Sequence, residues 1–219
     1  MLKKGIYITS SILFMLALFI QSIDWVSFDL SFFHSEYQKL SIAESIGTSE
    51  DDLMIVTAHL LDYIQDEQED LIVYALIDGE ERTFFNEREI DHMVDVKILY
   101  QNVINFKLIA YLLFGSVLIY ALIKKEFDIL AVNYIKALFV LASGLIALIL
   151  LALIDFDQVW TAFHLIFFSN DLWLLNPATD LLIRMVPLQF FYDLVFKITS
   201  IYLVMLGGFT LIAYRMKGK

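Results

Sequence analysis

The chain of 219 residues contains no cysteine and only two prolines and eight glycines. The lack of cysteine excludes disulfide frameworks, thiolate metal sites and cysteine nucleophiles. The sequence has no internal repeat and no low-complexity tract. It also lacks a glycine-rich phosphate loop, the Gly-x-Ser-x-Gly elbow of serine hydrolases and the His-Glu-x-x-His motif of zinc enzymes. The usual motifs of phosphate binding, serine hydrolysis and zinc catalysis are therefore missing.

Apolar residues, by contrast, are in excess. Hydrophobic residues make up 59% of the chain, and the mean hydropathy is +0.71. Globular proteins contain roughly 45–50% apolar residues, so this composition indicates an integral membrane protein. Four apolar runs, 6–23, 105–123, 129–154 and 194–214, predict membrane-spanning helices. The first run is followed by no small-x-small cleavage site, so we interpret it as an uncleaved helix rather than a signal peptide.

Basic residues are scarce between positions 24 and 104. This segment has 19 acidic and four basic residues, a net charge of −15, whereas the rest of the chain carries +4. Such an acidic segment repels nucleic acid and anionic lipid headgroups, so nucleic acid is not an expected partner. The basic residues at the ends of the apolar runs all fall on one side of the membrane: Lys3, Lys4, Lys124, Lys125, Arg215, Lys217 and Lys219. The positive-inside rule makes that side cytoplasmic, with both termini inside.

This topology divides the chain into five regions. Residues 1–23 form the first transmembrane helix, and residues 24–104 form an extracytoplasmic α+β cap. Residues 105–154 form the second and third transmembrane helices. Residues 155–193 form an outer interfacial segment that is re-entrant or amphipathic. Residues 194–219 form the fourth transmembrane helix and a cytoplasmic tail.

The cap shows local signals for both helix and strand. Ser49 is placed to cap a helix that begins with three acidic residues, which suit a helix N-terminus. The β-rich run 71–77, the turn Asp78-Gly79 and residues 80–85 predict a β-hairpin. Asn86 with Glu89 forms a capping-box pattern, which predicts a helix running towards residue 102 and on into the second span.

The segment from 163 to 191 fits neither a surface loop nor a single span. It is rich in aromatic residues, but polar residues and prolines interrupt it, among them Asn176, Pro177 and Pro187. Polar groups at membrane depth are tolerated where they line a cavity or a site. We therefore predict two short interfacial helices, the first carrying His164 and the second carrying Asp180 and Arg184. The fold class is a mainly α integral membrane protein: a four-helix transmembrane bundle, a small α+β extracytoplasmic cap with a β-hairpin, and amphipathic interfacial helices before the last span.

Four histidines are candidates for chemistry. His59 lies off the apolar face of its helix and is interpreted as a solvated residue, and His34 is interpreted as packing at the interface. His92 shares a helix stripe with Asp95, whose carboxylate can orient an imidazole, although a surface pair gives the same spacing. His164 lies among aromatic residues at the predicted outer surface, which favours a functional role or a buried partner. Asn170, Asp171 and Trp173 follow His164 within two turns and are its candidate partners.

The segments around these two histidines resemble a known family. Phe85-Asn-Glu-Arg-Glu-Ile-Asp-His92-Met-Val-Asp95-Val-Lys97, then Phe163-His164-x-x-Phe-Phe-x-Asn170-Asp171-x-Trp173 and Pro187-x-x-Phe-Phe, resemble motifs of the lipoprotein intramolecular transacylases of Gram-positive bacteria. The predicted spans and cap also match that family over nearly the whole chain.

The resemblance implies an acyltransferase of the cell membrane, with its active site at the extracytoplasmic surface. The substrate would be a diacylglyceryl lipoprotein whose sn-2 acyl chain moves to the α-amine of its N-terminal cysteine, which gives lyso-form lipoprotein. His92 and His164 would be catalytic, with Asp95, Asn170 and Asp171 in support. Which histidine is the base stays open.

Further roles follow from the same resemblance. The side chains expected to contact lipid or substrate are Trp173, Phe163 and Arg184. No metal, cofactor, external acyl donor or obligate protein partner is expected beside membrane lipid.

Two other interpretations remain open at this stage. The first is a non-catalytic membrane accessory or sensor protein whose acidic cap binds a partner. The second is a metal-dependent membrane hydrolase that uses His92, His164 and carboxylates.

Overall fold

The computed structural model describes residues 2–217, so Lys219 of the predicted cytoplasmic tail lies outside the described residues. Mostly helical elements follow one another along the chain. In order they are α1 Leu2–Ser27, α2 Leu30–Leu40, α3 Ile42–Ile46, α4 Glu50–Ile64, β1 Tyr74–Ile77, β2 Glu80–Thr83, α5 Glu87–Ile123, α6 Phe127–Ile154, α7 Phe156–Phe167, α8 Leu182–Met185 and α9 Leu188–Met216.

Four of these helices are long and apolar enough to cross a membrane, as the sequence predicts. They cover Lys3–Ser27, Glu87–Ile123, Phe127–Leu148 and Leu188–Met216. Each begins before the apolar run that predicted it. The last one starts directly after Pro187, a residue that is tolerated next to a helix N-terminus.

Helix α5 is much longer than a membrane requires. Its 37 residues extend about 55 Å at 1.5 Å per residue, whereas the hydrocarbon core is about 30 Å thick. The apolar run 105–123, with Lys107 near its start as its one charged residue, has 19 residues and is long enough to cross. The first turns of α5, which carry Glu89, His92 and Asp95, therefore lie outside the membrane-spanning segment.

The chain divides into two compact units. The first unit comprises Met1–Ile23, Val103–Phe163 and Ile198–Lys219. Its core is apolar and aromatic, and there Phe14 stacks on Phe114 at 4.1 Å between ring centroids and meets Phe209 edge-on at 4.8 Å. In the same unit Glu126 accepts hydrogen bonds from Lys3 Nζ at 2.6 Å and Tyr7 OH at 2.8 Å.

The second unit comprises Asp24–Asn102 and His164–Lys197, and its aromatic core forms around Phe190, which is fully buried. The rings of Phe32, Phe33 and Tyr37 lie 5.1–5.8 Å from Phe190. His34 does not join this packing, because its side chain is exposed and lies 3.4 Å from Gln38 Nε2. His59 is half-buried, and its Nε2 lies 3.0 Å from the Asp70 carbonyl oxygen.

The local elements predicted for the cap are confirmed. Ser49 Oγ accepts a hydrogen bond from Asp52 N at 3.0 Å and caps α4. Strands β1 and β2 form an antiparallel hairpin, in which Ile77 pairs with Glu80. The strands are shorter than predicted, since Phe84 and Phe85 turn into the core and are each 2% exposed.

The region after α7 differs in detail from the prediction. The second predicted short helix is a single turn, Leu182–Met185, that includes Arg184 but begins after Asp180. Asp180 is instead tied into the preceding turn, where its carboxylate accepts a hydrogen bond from Asn176 N at 2.6 Å. Placement of these short helices at a membrane surface stays a prediction.

Two glycines with positive φ provide a test of the second unit. Gly47 (φ 84°) lies against the Asp78 carboxylate, so a β-carbon there would clash, whereas a β-carbon on Gly79 (φ 85°) would meet nothing within 4 Å. We expect Gly79→Ala to lower the free energy of unfolding by about 1 kcal/mol through backbone strain alone. In Gly47→Ala the exposed Asp78 carboxylate must also rotate away, so its loss should be about 0.5–1.5 kcal/mol larger than that of Gly79→Ala. Thermal unfolding of the purified variants measures both, and equal losses would contradict the contact with Asp78.

Candidate active site

His92 and His164, 72 positions apart in the chain, lie next to each other in the second unit. Their ring centroids are 6.4 Å apart, and the rings are inclined by 35°. His92 comes from the second turn of α5, and His164 comes from the last turn of α7. Both side chains are buried, with 7% and 5% of their surface exposed. A reacting group placed between two such rings can exchange protons with either of them.

Aromatic side chains enclose the histidine pair. The Phe168 ring lies 5.4 Å from the ring of His92 and 5.6 Å from that of His164. Trp173 stacks on His164 at 4.6 Å, and its Nε1 donates a hydrogen bond to the Asn170 carbonyl oxygen at 3.0 Å. The prediction gave Phe168 no role of its own, although its position four residues after His164 places both on one helix face.

Burial determines the protonation state of His92. It lowers the pKa of the imidazole from 6.5 to about 4, and the nearby His164 and Arg88 act in the same direction, while Asp95 opposes them. His92 is therefore neutral at neutral pH. Within residues 2–217 no group forms a hydrogen bond with its buried Nδ1 atom. A buried imidazole nitrogen with no protein partner has its hydrogen-bonding capacity left over for other groups.

Asp95 has a different partner from the one predicted. Its carboxylate accepts a hydrogen bond from Asn170 Nδ2 at 2.7 Å, whereas the spacing in the sequence predicted a contact with His92. The Arg88 guanidinium donates hydrogen bonds to the carbonyl oxygen of Asp171 and, at 3.4 Å, to its carboxylate. Arg88 and Asp95 lie on α5 before and after His92. Both contact the segment that follows α7, Arg88 at Asp171 and Asp95 at Asn170.

Two carboxylates near the histidine pair are buried. Glu89 lies one turn before His92 on α5, and Asp180 lies in the loop after Trp173. Glu89 accepts hydrogen bonds from Asn86 N at 2.8 Å and Leu182 N at 2.6 Å, and Asn86 Nδ2 donates to Asp180 at 2.9 Å. Burial raises the pKa of Glu89 despite these backbone donors. Burial also acts to raise the pKa of Asp180, but the donors from Asn176, Thr179 and Asn86 outweigh it and lower that pKa. The capping box of Asn86 and Glu89 was predicted, but its connection to Asp180 was not.

Phe163 and Arg184, two predicted lipid contacts, have protein partners of their own. Phe163 belongs to the first unit, where its ring stacks on Trp160 at 6.2 Å and is 41% exposed. Arg184 donates a hydrogen bond to the Ser45 carbonyl oxygen, which links α8 to α3 within the second unit. The lipid-binding role of both residues stays a prediction.

A comparison with known families identifies the chain. A family model described as "Lipoprotein intramolecular transacylase Lit" matches residues 8–191. The chain belongs to this family. The name of the family classes the chain as an acyltransferase, and the four apolar helices agree with a membrane-integral enzyme.

Solved structures of the Lit transacylase from Bacillus cereus, described as membrane integral, have a similar fold. One has a TM-score of 0.77 at 21% identity and covers 98% of this chain and 94% of that chain. A variant of the same enzyme with a histidine replaced by arginine gives 0.77 at 20% identity, with coverage of 99% and 90%. A variant with alanine at that histidine gives 0.77 at 20%, with coverage of 99% and 92%. No curated protein matches the chain in sequence.

The neutral state of His92 makes stability depend on pH. Because its pKa in the folded protein, about 4, is below the ordinary 6.5, the unfolded chain binds more protons between these values. The stabilising contribution is thus present above pH 6.5 and is lost as the pH falls towards 4. Lowering the pH from 7.5 to 5 should cost the wild type about 2 kcal/mol more than His92→Asn, whose side chain does not titrate. Thermal unfolding at the two pH values measures both losses of stability. Equal losses in the wild type and in His92→Asn would show that His92 can be protonated without penalty.

Proposed function

We propose that this chain moves the sn-2 acyl chain of an S-diacylglyceryl lipoprotein to the α-amine of the N-terminal cysteine of the same molecule. The product is the lyso-form lipoprotein. The observation that carries the proposal is the pair of buried imidazoles, 6.4 Å apart, in a chain of the Lit family.

The reaction forms an amide and breaks an ester. The free amine attacks the ester carbonyl carbon, and the resulting tetrahedral intermediate carries a positive nitrogen and a negative oxygen. A base removes the proton from nitrogen, the bond from carbon to the glyceryl oxygen breaks, and an acid protonates that oxygen. Starting from the ammonium form, one proton is released to solvent for each acyl chain transferred.

The histidine pair can supply both proton transfers. His92 is neutral at physiological pH, so it can accept the proton from nitrogen. We assign His164 to the oxyanion and the leaving glyceryl oxygen, because its ring is on the other side of the gap between the two imidazoles. The rings of Phe168 and Trp173 pack against His92 and His164 and would provide an apolar surface for the acyl chain.

No separate acyl donor is needed for this chemistry. The ester and the amine are part of one molecule, so holding them in contact replaces a bimolecular encounter with an intramolecular step. An amide is also more stable than the ester it replaces. The tasks left to the protein are positioning and proton transfer, and both fall to residues of the second unit.

Removal of either imidazole should abolish the transfer. Because general acid–base catalysis contributes about 10²–10⁴-fold, we expect His92→Ala and His164→Ala each to lower lyso-lipoprotein formation at least about 100-fold. The measurement is mass spectrometry of N-terminal lipopeptides from a host that lacks other lipoprotein N-acylation. The exposed residue His34, changed to alanine, is the matched control and should keep wild-type activity.

Two outcomes would contradict this proposal. The first is unchanged diacyl peptide with a free amine in cells that express the wild type. The second is full activity in both histidine variants together with loss in the cap-surface variants Asp66→Lys or Glu67→Lys. The second result would favour a non-catalytic protein that binds a partner through its acidic surface.

We further propose that the second unit faces the outside of the cell, where lipoproteins are exposed. The basic residues at the ends of the predicted spans support this orientation through the positive-inside rule. The lack of native cysteine makes a direct test simple. A single cysteine at Glu67 should react with a membrane-impermeant maleimide in intact cells, and one at Asp128 should react only after permeabilisation. The reverse pattern would overturn the orientation.

A further inference from the structure

A cavity of about 160 Å³ lies beside the histidine pair, within the second unit. Its lining is both polar and apolar and includes Asp95, Leu99, Asn102, Phe168, Ser169 and Asn170. Phe168 is also the ring that packs against His92 and His164, so the cavity and the histidine pair share one wall.

Asp95 supplies an acidic side chain to the lining of this cavity. Among residues 2–217 no lysine, arginine or histidine forms an ion pair with its carboxylate. The two nearest basic side chains along α5 are engaged elsewhere: Arg88 binds Asp171, and Lys97 Nζ binds Asp66 Oδ1 at 2.6 Å. The hydrogen bond that Asn170 Nδ2 donates to the carboxylate comes from a neutral amide, so it orients the carboxylate without adding a positive charge.

Asp95 is half-buried and has no ion-pair partner among residues 2–217, so its carboxylate can bind a cation that enters this cavity. The remaining lining groups are suited to the same ligand, because the amide oxygen of Asn102 and the hydroxyl of Ser169 can accept hydrogen bonds. A primary ammonium has three donors and fits such a set of acceptors. The substrate of the proposed function carries one ammonium close to its ester, at the N-terminal cysteine.

We propose that Asp95 is the binding residue for the α-ammonium of the lipoprotein substrate, held in this cavity next to the histidine pair. This inference rests on the proposed function and specifies the part of the substrate that the site recognises. Asn170 is the positioning residue, since it holds the carboxylate through its side chain. The interaction selects lipoproteins with a free N-terminus over those already acylated, whose amide nitrogen is neutral, and so favours release of product.

The test compares two unreactive ligands. Both are dialkylglyceryl ether peptides, which contain no ester to transfer; one has the N-terminal ammonium, and the other lacks the amino group. Binding is measured by displacement of a fluorescent ether lipopeptide from the purified full chain. We expect the wild type to bind the ammonium peptide about tenfold more tightly, as a charged hydrogen bond provides.

Charge at position 95 should determine this preference. Asp95→Asn should reduce it to less than about twofold, and Asp95→Glu, which keeps the charge, should retain most of it. Glu81→Gln removes the same charge from the exposed strand β2 and should leave the preference unchanged. Unfolding temperatures of all variants establish that each is folded.

The outcomes separate this inference from the proposed function. Equal binding of the two ligands by the wild type, or a preference retained in Asp95→Asn, overturns the ammonium site even if the ester substrate is still converted. If the preference follows the charge at position 95 but the wild type does not convert the ester substrate, the ammonium site stands and the proposed reaction fails.

Discussion

The geometry of the candidate site depends on hydrogen bonds to two buried carboxylates. Glu89 and Asp180 are 1% and 4% exposed, and Asn86 donates a hydrogen bond to each of them. A buried charge that loses its donors is penalised by several kcal/mol, so the loop around Asp180 is held against the start of α5. His92 lies one turn beyond Glu89 on that helix, and the loop follows the segment of His164 and Trp173. The same contacts therefore fix both imidazoles with respect to each other.

Charge is distributed unequally around this fixed centre. Arg88 is neutralised by Asp171, and the imidazole of His92 is uncharged because burial lowers its pKa. Asp95 keeps its negative charge without an ion-pair partner among residues 2–217. The site thus has a neutral proton acceptor, His92, near the carboxylate of Asp95. Such an arrangement suits a ligand that arrives as a cation and reacts as a neutral amine.

Local patterns in the sequence predicted much of the fold. The apolar runs indicated the four long helices, and Asp78-Gly79 and Ser49 indicated the hairpin and the cap of α4, because these signals act between residues close in the chain. The same reasoning paired Asp95 with His92, whereas the structure pairs it with Asn170, 75 positions away. The hydrogen bond between Asn86 and Asp180 spans 94 positions and was likewise not predictable. Contacts of this kind depend on how the helices pack against one another. The spacing of residues along a single helix carries no information about that packing.

In the proposed reaction the substrate supplies the nucleophile, and this has a chemical consequence in this fold. A covalent acyl-enzyme would need an activated serine or cysteine, and the chain has no cysteine and no serine elbow. Under that proposal, with the nucleophile and the ester both on the substrate, an intermediate would be stabilised only while the histidine pair stays in contact with both reacting atoms. In the proposed mechanism, any change that separates His164 from His92 would remove both proton transfers together. The buried hydrogen bonds of Glu89 and Asp180 hold the loop after Trp173 against the start of α5, so under the same proposal they would contribute to the rate as well as to stability.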